Sequence, residues 1–317
     1  MKLIESKAEF LPQESGIEGI YKMIEVAGRT AYNSQDKITP DSAKDFVDRM
    51  IKSHHGAALE HGTVYLKWYS PGMFDIVKGH TVYDYVHNPY TKSMEYLTKE
   101  SIVRTATEYR ITTNYRVLVE NNWLDDLQYL CSPTEFHEKR YTMRFTCSRA
   151  IAQELTRHRV FSFLMESQRY INYSKERHGG EITYIIPSWF EQRAVFLKES
   201  LPNDVVLGAK VSSKINSYND REMVALKALA LSERNYMYLL SSGMTPQQAR
   251  DVLPNATKTE LIMTGFSSDW RHVLDLRLFE KTGKVAPDMK DLMQKAQKVM
   301  QEAGIWDDIM SKPSKFD

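Results

Sequence analysis

Residues 141–148, YTMRFTCS, set Tyr141, Met143, Phe145 and Cys147 on one side of an extended chain and Thr142, Arg144 and Thr146 on the other. A period of two is strand geometry with one apolar face. Ser148 then offers a helix N-cap, so the chain is expected to pass directly into a helix over RAIAQELTRHR, leaving Arg157, His158 and Arg159 at its end. EHGTVYLKWYS repeats the alternation, with Val64, Leu66 and Trp68 against Thr63, Tyr65 and Lys67. Strands that bury one face call for antiparallel sheet backed by other elements.

Helices supply the backing. TPDSAKDFVDRMIKSHHG places Ala43, Phe46, Val47, Met50 and Ile51 on one stripe, with Thr39 as N-cap, Pro40 at the first helical position and Gly56 as the stop. DREMVALKALALSERNYMYLLSSG and TPQQARDVL read as helical, and a last helix from Asp288 carries Met289, Leu292, Met293 and Ala296 in register. Strands early and helices late indicate an α+β fold, an antiparallel sheet with packed helices. Residues 80–135 separate the two strands and read as a folded insertion, because ATEYRITTNYRVLVE alternates in part and NNWLDDLQYL looks helical. No repeat or low-complexity linker divides the chain, so residues 1–317 are expected to form one domain.

Charge narrows the partners. With 42 Lys plus Arg against 41 Asp plus Glu, the net charge of +1 gives no global attraction to nucleic acid or to an anionic membrane. No apolar run approaches the roughly 20 residues that cross a bilayer, and MKLIESKAEF has no apolar signal region. Cys131 and Cys147 are too few for a disulfide framework or a four-thiolate zinc site, which fits a reducing cytoplasm. His54 and His55 are sequence neighbours that point to different faces, so no metal site is expected. Phosphate loops of the G-x-x-x-x-G-K type, G-x-G-x-x-G turns and G-x-S-x-G elbows are absent.

In this near-neutral chain RHRVFSFLMESQRY crowds Arg157, His158, Arg159 and Arg169 around Ser162 and Ser167. Arginine forks with hydroxyls are the inventory of a phosphate site. A solvated basic helix end accounts for the same charges, although the interleaved VFSFLM belongs in an interior. A second constellation threads Arg250, Arg271, His272 and Arg277 through the apolar, helix-like QQARDVLPNATKTELIMTGFSSDWRHVLDLR. Arg277, four residues after Val273, is expected to be half-buried. It then needs an anionic or carbonyl partner, with Asp275 and Asp251 as the ordinary candidates.

The pattern R-H-R, seven residues, then S, met by Arg157, His158, Arg159 and Ser167, resembles the signature of the flavin-dependent thymidylate synthases. GRTAYNSQDKIT, HGAALEHGTVYL, QELTRHR, SQRYINYS and ARDVLPNATKTELIMTG…LDLR follow in the order of that family, over most of the chain outside residues 80–135. The resemblance implies a homotetramer with sites assembled from several chains and holding FAD, dUMP and a folate. By position, Arg157, His158 and Arg159 would hold FAD, with His61, Thr63 and His272 on the flavin side. The two histidines have a second reading as satisfied core residues. Glu154, Arg157, Ser167, Gln168, Arg169 and Arg250 would take dUMP, its phosphate lying on Ser167, Gln168 and Arg169. Arg277 would bind the uracil edge and favour ionisation of its imide, electrostatic catalysis by a cation beside a developing anion. The implied reaction transfers a methylene from methylene-tetrahydrofolate and reduces it with hydride from FAD recharged by NADPH, without a cysteine nucleophile. Methylation of another uridine nucleotide, or binding without turnover, are the alternatives.

This chain departs from that family at five positions, one of them His272, where an asparagine is common. Leu164 and Met165 stand where many members carry Asn-Glu, Glu154 where a glutamine is common, and Ala286 where relatives place a flavin-binding histidine.

Overall fold

Alternation becomes sheet wherever it is strict. A computed structural model describes residues 1–70, 79–97, 107–176, 179–191 and 220–316. Nine strands are present among them: β1 (Lys2–Ile4), β2 (Lys7–Leu11), β3 (Thr63–Ser70), β4 (Lys92–Leu97), β5 (Thr107–Asn114), β6 (Arg140–Ser148), β7 (Ser162–Met165), β8 (Thr183–Ile185) and β9 (Lys258–Phe266). The main sheet is antiparallel in the order β2-β6-β9-β7, a second antiparallel sheet runs β3-β5-β4, and β1 pairs with β8 in parallel.

Helices cover the main sheet on both faces. Met143 of β6 and Met263 of β9 are register partners, and with Tyr141, Phe145, Cys147 and Leu261 they form one core. Against them pack Trp270, Val273 and Leu274 of the Ser267–Arg277 helix and Met289, Leu292, Met293 and Ala296 of the Pro287–Glu302 helix. The Trp270 indole donates to the Tyr141 carbonyl at 3.0 Å. Gly265 belongs to this packing, because a Cβ there would fall on the Phe161 ring. The Gly16–Ala31 helix packs on β7 and β9 and shares a second core with Phe46, Val47, Val64, Leu66 and Trp68.

Several expectations are corrected. KTELIMTGF, read within a helix-like stretch, is β9. Its residues 261–266 are all buried, and a strand covered on both faces shows no alternation. The helix foreseen from Thr39 and Pro40 is Ser42–Lys52, because the Thr39 carbonyl accepts the Ser42 amide and hydroxyl in a preceding turn. Gly56 opens a short helix, Gly56–Leu59, rather than ending one. The Ser148 hydroxyl does accept the Ile151 amide at 3.3 Å, but its helix stops at Leu155 and the signature cations lie in the turn beyond.

Within residues 80–135, β4, β5, the Tyr115–Glu120 helix and the Leu124–Tyr129 turn are folded, while residues 98–106 lie outside the described residues. His80 stacks on Trp123 at 4.6 Å and meets Asp126 at 2.6 Å.

Met263→Ala is expected to cost about 2–5 kcal/mol in denaturant unfolding. Met94→Ala, on the exposed side of edge strand β4, should stay within about 0.5 kcal/mol. Equal losses at the two positions would contradict the core placed here.

Candidate active site

Three elements of the main sheet deliver the signature residues. The Arg149–Leu155 helix leaves β6, and the chain then turns, with the Arg159 amide donating to the Arg157 carbonyl and the Phe161 amide to the His158 carbonyl, each at 3.1 Å. Phe161 is buried against Trp270, which pulls the turn down onto the sheet. Arg157 and Arg159 stay exposed and His158 is half-buried.

Arg277 ends the helix that leaves β9. Its Nε donates to His158 Nε2 at 3.3 Å, and Nη1 lies 3.8 Å from the Glu154 carboxylate. Asp275 is not its partner, being taken by Arg271 at 3.3 Å and the Ser314 hydroxyl at 2.6 Å. Burial, then the Arg277 charge and His272, push the His158 imidazole down to about 4, so it is neutral at pH 7. Because an arginine Nε–H only donates, Nε2 accepts and the His158 proton resides on Nδ1. His272 stacks on Phe316 at 5.7 Å, and burial lowers its pKa too. Its Nδ1 has no hydrogen-bond partner among the described residues.

The second group follows β7. The Glu166 amide donates to Glu260 at 2.8 Å and the Ser167 amide to the Ala31 carbonyl at 2.9 Å, which brings this loop to the C-terminal end of the Gly16–Ala31 helix. A helix C-terminus is the negative end of the dipole. Positive charge for a phosphate must therefore come from side chains. The Ser167 hydroxyl accepts the Arg169 amide at 3.3 Å, and Arg169 Nε donates to Gln247 at 3.1 Å. Gln247 belongs to the short helix Pro246–Ala249 that Arg250 caps. Arg250 is half-buried and its side chain has no partner among the described residues, while Gln168 is buried.

His61 and Thr63, expected beside a flavin, are interior residues. His61 is fully buried with Nδ1 2.8 Å from the Thr264 hydroxyl, and burial followed by the Arg140 charge pushes it down to about 3. Thr63 is buried and exchanges backbone hydrogen bonds with the Gln13 side chain at 2.7 and 2.8 Å. Both side chains are buried in this conformation, and His61 Nε2 has no hydrogen-bond partner among the described residues.

The open space lies elsewhere, at residues the sequence reading passed over. A cleft of about 1160 Å³ is lined by Tyr32, Phe46, Arg49, His55 and Tyr170 among others. A cavity of about 400 Å³ shares Tyr32, Met50 and His55 with it and reaches Leu164 of β7. Their lining comes largely from the blocks GRTAYNSQDKIT and HGAALEHGTVYL.

The chain matches the family model described as "Thymidylate synthase complementing protein" over residues 93–303. It is 36% identical to the flavin-dependent thymidylate synthase of Corynebacterium efficiens over 137 residues, covering 42% of this chain and 47% of that protein. It is 29% identical to the enzyme of the same name from Pyrococcus furiosus over 163 residues, covering 51% and 53%. The chain thus spans about half the length of the curated relatives it matches. A crystal structure of thymidylate synthase X from Helicobacter pylori with FAD and dUMP aligns with a TM-score of 0.37 and 15% identity, covering 97% of this chain and 99% of that one. The match from residue 93 contains Glu154, Arg157–Arg159, Ser167–Arg169, Arg250, His272 and Arg277, and leaves His61 and Thr63 outside it. The chain belongs to the thymidylate synthase complementing protein family.

Proposed function

We propose that the chain methylates dUMP to dTMP, taking the carbon from methylene-tetrahydrofolate and reducing equivalents from NADPH by way of FAD. In this reading it acts in a reducing cytoplasm as a homotetramer whose copies share each site. The observation that carries the reading is Arg277. Its guanidinium is half-buried, its Nε is held by a neutral imidazole, its carboxylate neighbour is 3.8 Å away, and Nη2 makes no hydrogen bond to a described residue. Such a cation is oriented but not neutralised, which suits it to the uracil edge, where it favours loss of the imide proton and makes the ring a better carbon nucleophile. His158 orients Arg277 without competing for that charge.

Ser167, Gln168 and Arg169, with Arg250, would hold the nucleotide phosphate, and Glu154 and Arg157 would lie along the rest of dUMP. The residues present fit FAD in part: Arg157 and Arg159 are exposed cations without a partner among the described residues, and His272 keeps a buried, unpartnered Nδ1. Arg157, His158, Arg159 and His272 would hold it, and when bound it supplies the hydride.

Anaerobic protein reduced by NADPH should re-oxidise and release dTMP only when dUMP and methylene-tetrahydrofolate are both added. Flavin that stays reduced with both present would refute thymidylate synthesis. Arg277→Ala should lower kcat about 100-fold or more with FAD still bound, and unchanged turnover would remove its catalytic role. Arg169→Ala should weaken dUMP about tenfold or more, as loss of a charge-assisted contact does, and an unaltered dUMP affinity would move the phosphate elsewhere. His158 should titrate near pH 4 by NMR and rise toward its ordinary value in Arg277→Ala, since that charge helps hold it down.

A further inference from the structure

Two walls of the larger cleft carry cations that the chain does not neutralise. Arg49 and Lys52 occupy the last turn of the Ser42–Lys52 helix, and Lys37 lies on the separate turn Gln35–Lys37. None of the three forms an ion pair with a described residue, and Asp36 is the one carboxylate among the residues lining the cleft. The helix dipole accounts for cations in a last turn, but not for Lys37 on another element. Arg29, which also lines the cleft, is already answered by Glu25 at 2.7 Å.

The rest of the lining is aromatic. Phe46 lies under both Arg29 and Arg49, with guanidinium carbons 5.1 and 5.7 Å from its ring centre, and the exposed rings of Tyr32 and Tyr170 are 5.9 Å apart. At about 1160 Å³ the cleft exceeds the roughly 300–1000 Å³ of an ordinary small-molecule pocket. It also shares Tyr32, Met50 and His55 with the cavity that reaches the signature strand at Leu164. A compact phosphate is matched by converging arginine forks. Three exposed cations carried by two separate elements, on long stems, suit a ligand with several carboxylates rather than one compact anion.

We infer that this cleft receives the oligoglutamate tail of the folate cosubstrate, with Lys37, Arg49 and Lys52 as contacts for successive carboxylates. The inference rests on the folate reading proposed above and adds a chain-length preference to it. Each further glutamate brings one carboxylate to a solvent-exposed cation, a contact that tightens binding by about two- to fivefold and is screened by salt.

The test is equilibrium binding of mono- and triglutamyl tetrahydrofolate to the full FAD-loaded chain, beside the triple variant Lys37→Gln, Arg49→Gln, Lys52→Gln. These side chains are exposed, and thermal melting checks that the variant is folded. The wild type should bind the triglutamate about tenfold tighter than the monoglutamate. That gain should vanish in the variant and at about 0.5 M salt, while monoglutamate affinity and FAD content stay as they were. Equal affinity for the two forms in the wild type, or a gain that survives in the variant, overturns the inference. Loss of FAD in the variant instead assigns the cleft to the flavin diphosphate. Failure of either folate to bind removes the folate reading itself, and this inference with it.

Discussion

The pairing of β9 with both β6 and β7 is the constraint on which the candidate site depends. Met263 faces Met143 on one side and Phe163 on the other, so a single register positions all three strands. Each strand then launches a candidate segment: β6 the Arg149–Leu155 helix and the turn beyond it with Arg157–Arg159, β7 the loop with Ser167 and Arg169, and β9 the helix that ends at Arg277. A slip of one residue in β9 would turn Met263 and Leu261 out of the core and displace Arg277 from His158. The buried residues of β9 are costly to move, and the site inherits that rigidity.

Electrostatics within the sheet run against the usual pairing of buried charges. Arg140 is 8% exposed and meets only neutral acceptors: the Glu60 carbonyl at 3.2 Å, the Thr63 hydroxyl at 3.4 Å and the Ser162 hydroxyl at 3.2 Å, with the Phe266 ring 5.5 Å away. Burial lowers its pKa to about 10, which leaves it charged at neutral pH. Taking such a cation out of water costs several kcal/mol. What it gains is a tie between β6, β7 and the start of β3. It also contributes, after burial, to keeping His61 neutral. Arg277 repeats part of that arrangement nearer the surface, where its Nε donates to the neutral His158 imidazole and the Glu154 carboxylate stands 3.8 Å from Nη1.

Local signals in the sequence carried much of this. The faces of β3 and β6 followed from strict alternation, the Ser148 cap from residue type, and the folded character of most of residues 80–135 from partial periodicity. A half-buried Arg277 followed from its spacing to Val273, whereas its partner did not, because His158 lies 119 residues away. β9 was hidden because burial on both faces erases alternation. The Gly16–Ala31 helix was hidden by Gly19 and Gly28, which lower helix propensity but are needed here. A Cβ at Gly28 would overlap the Phe46 ring. The burial of His61 and Thr63 depends on Thr264 and Arg140, far along the chain, and no local pattern announces such neighbours.

The Leu164-Met165 pair shows how a strand constrains chemistry. Successive side chains of β7 point to opposite faces. Leu164 packs with Trp68 and its neighbours and walls the smaller cavity, and Met165 packs with the Met143 core. Glu166 is adjacent in sequence but committed elsewhere. It is 3% exposed, bonded to Lys258 at 3.0 Å and accepting the Glu260 amide at 3.2 Å. Drawing that carboxylate into the cavity would leave Lys258 with only Glu260 and break a buried pair, a change worth about 3–5 kcal/mol. Glu166 therefore does not replace a carboxylate at position 165, and the wall of this cavity is apolar at Leu164. The polar groups that line this cavity are Tyr32, His54, His55 and Arg116, all carried by elements outside the signature strand.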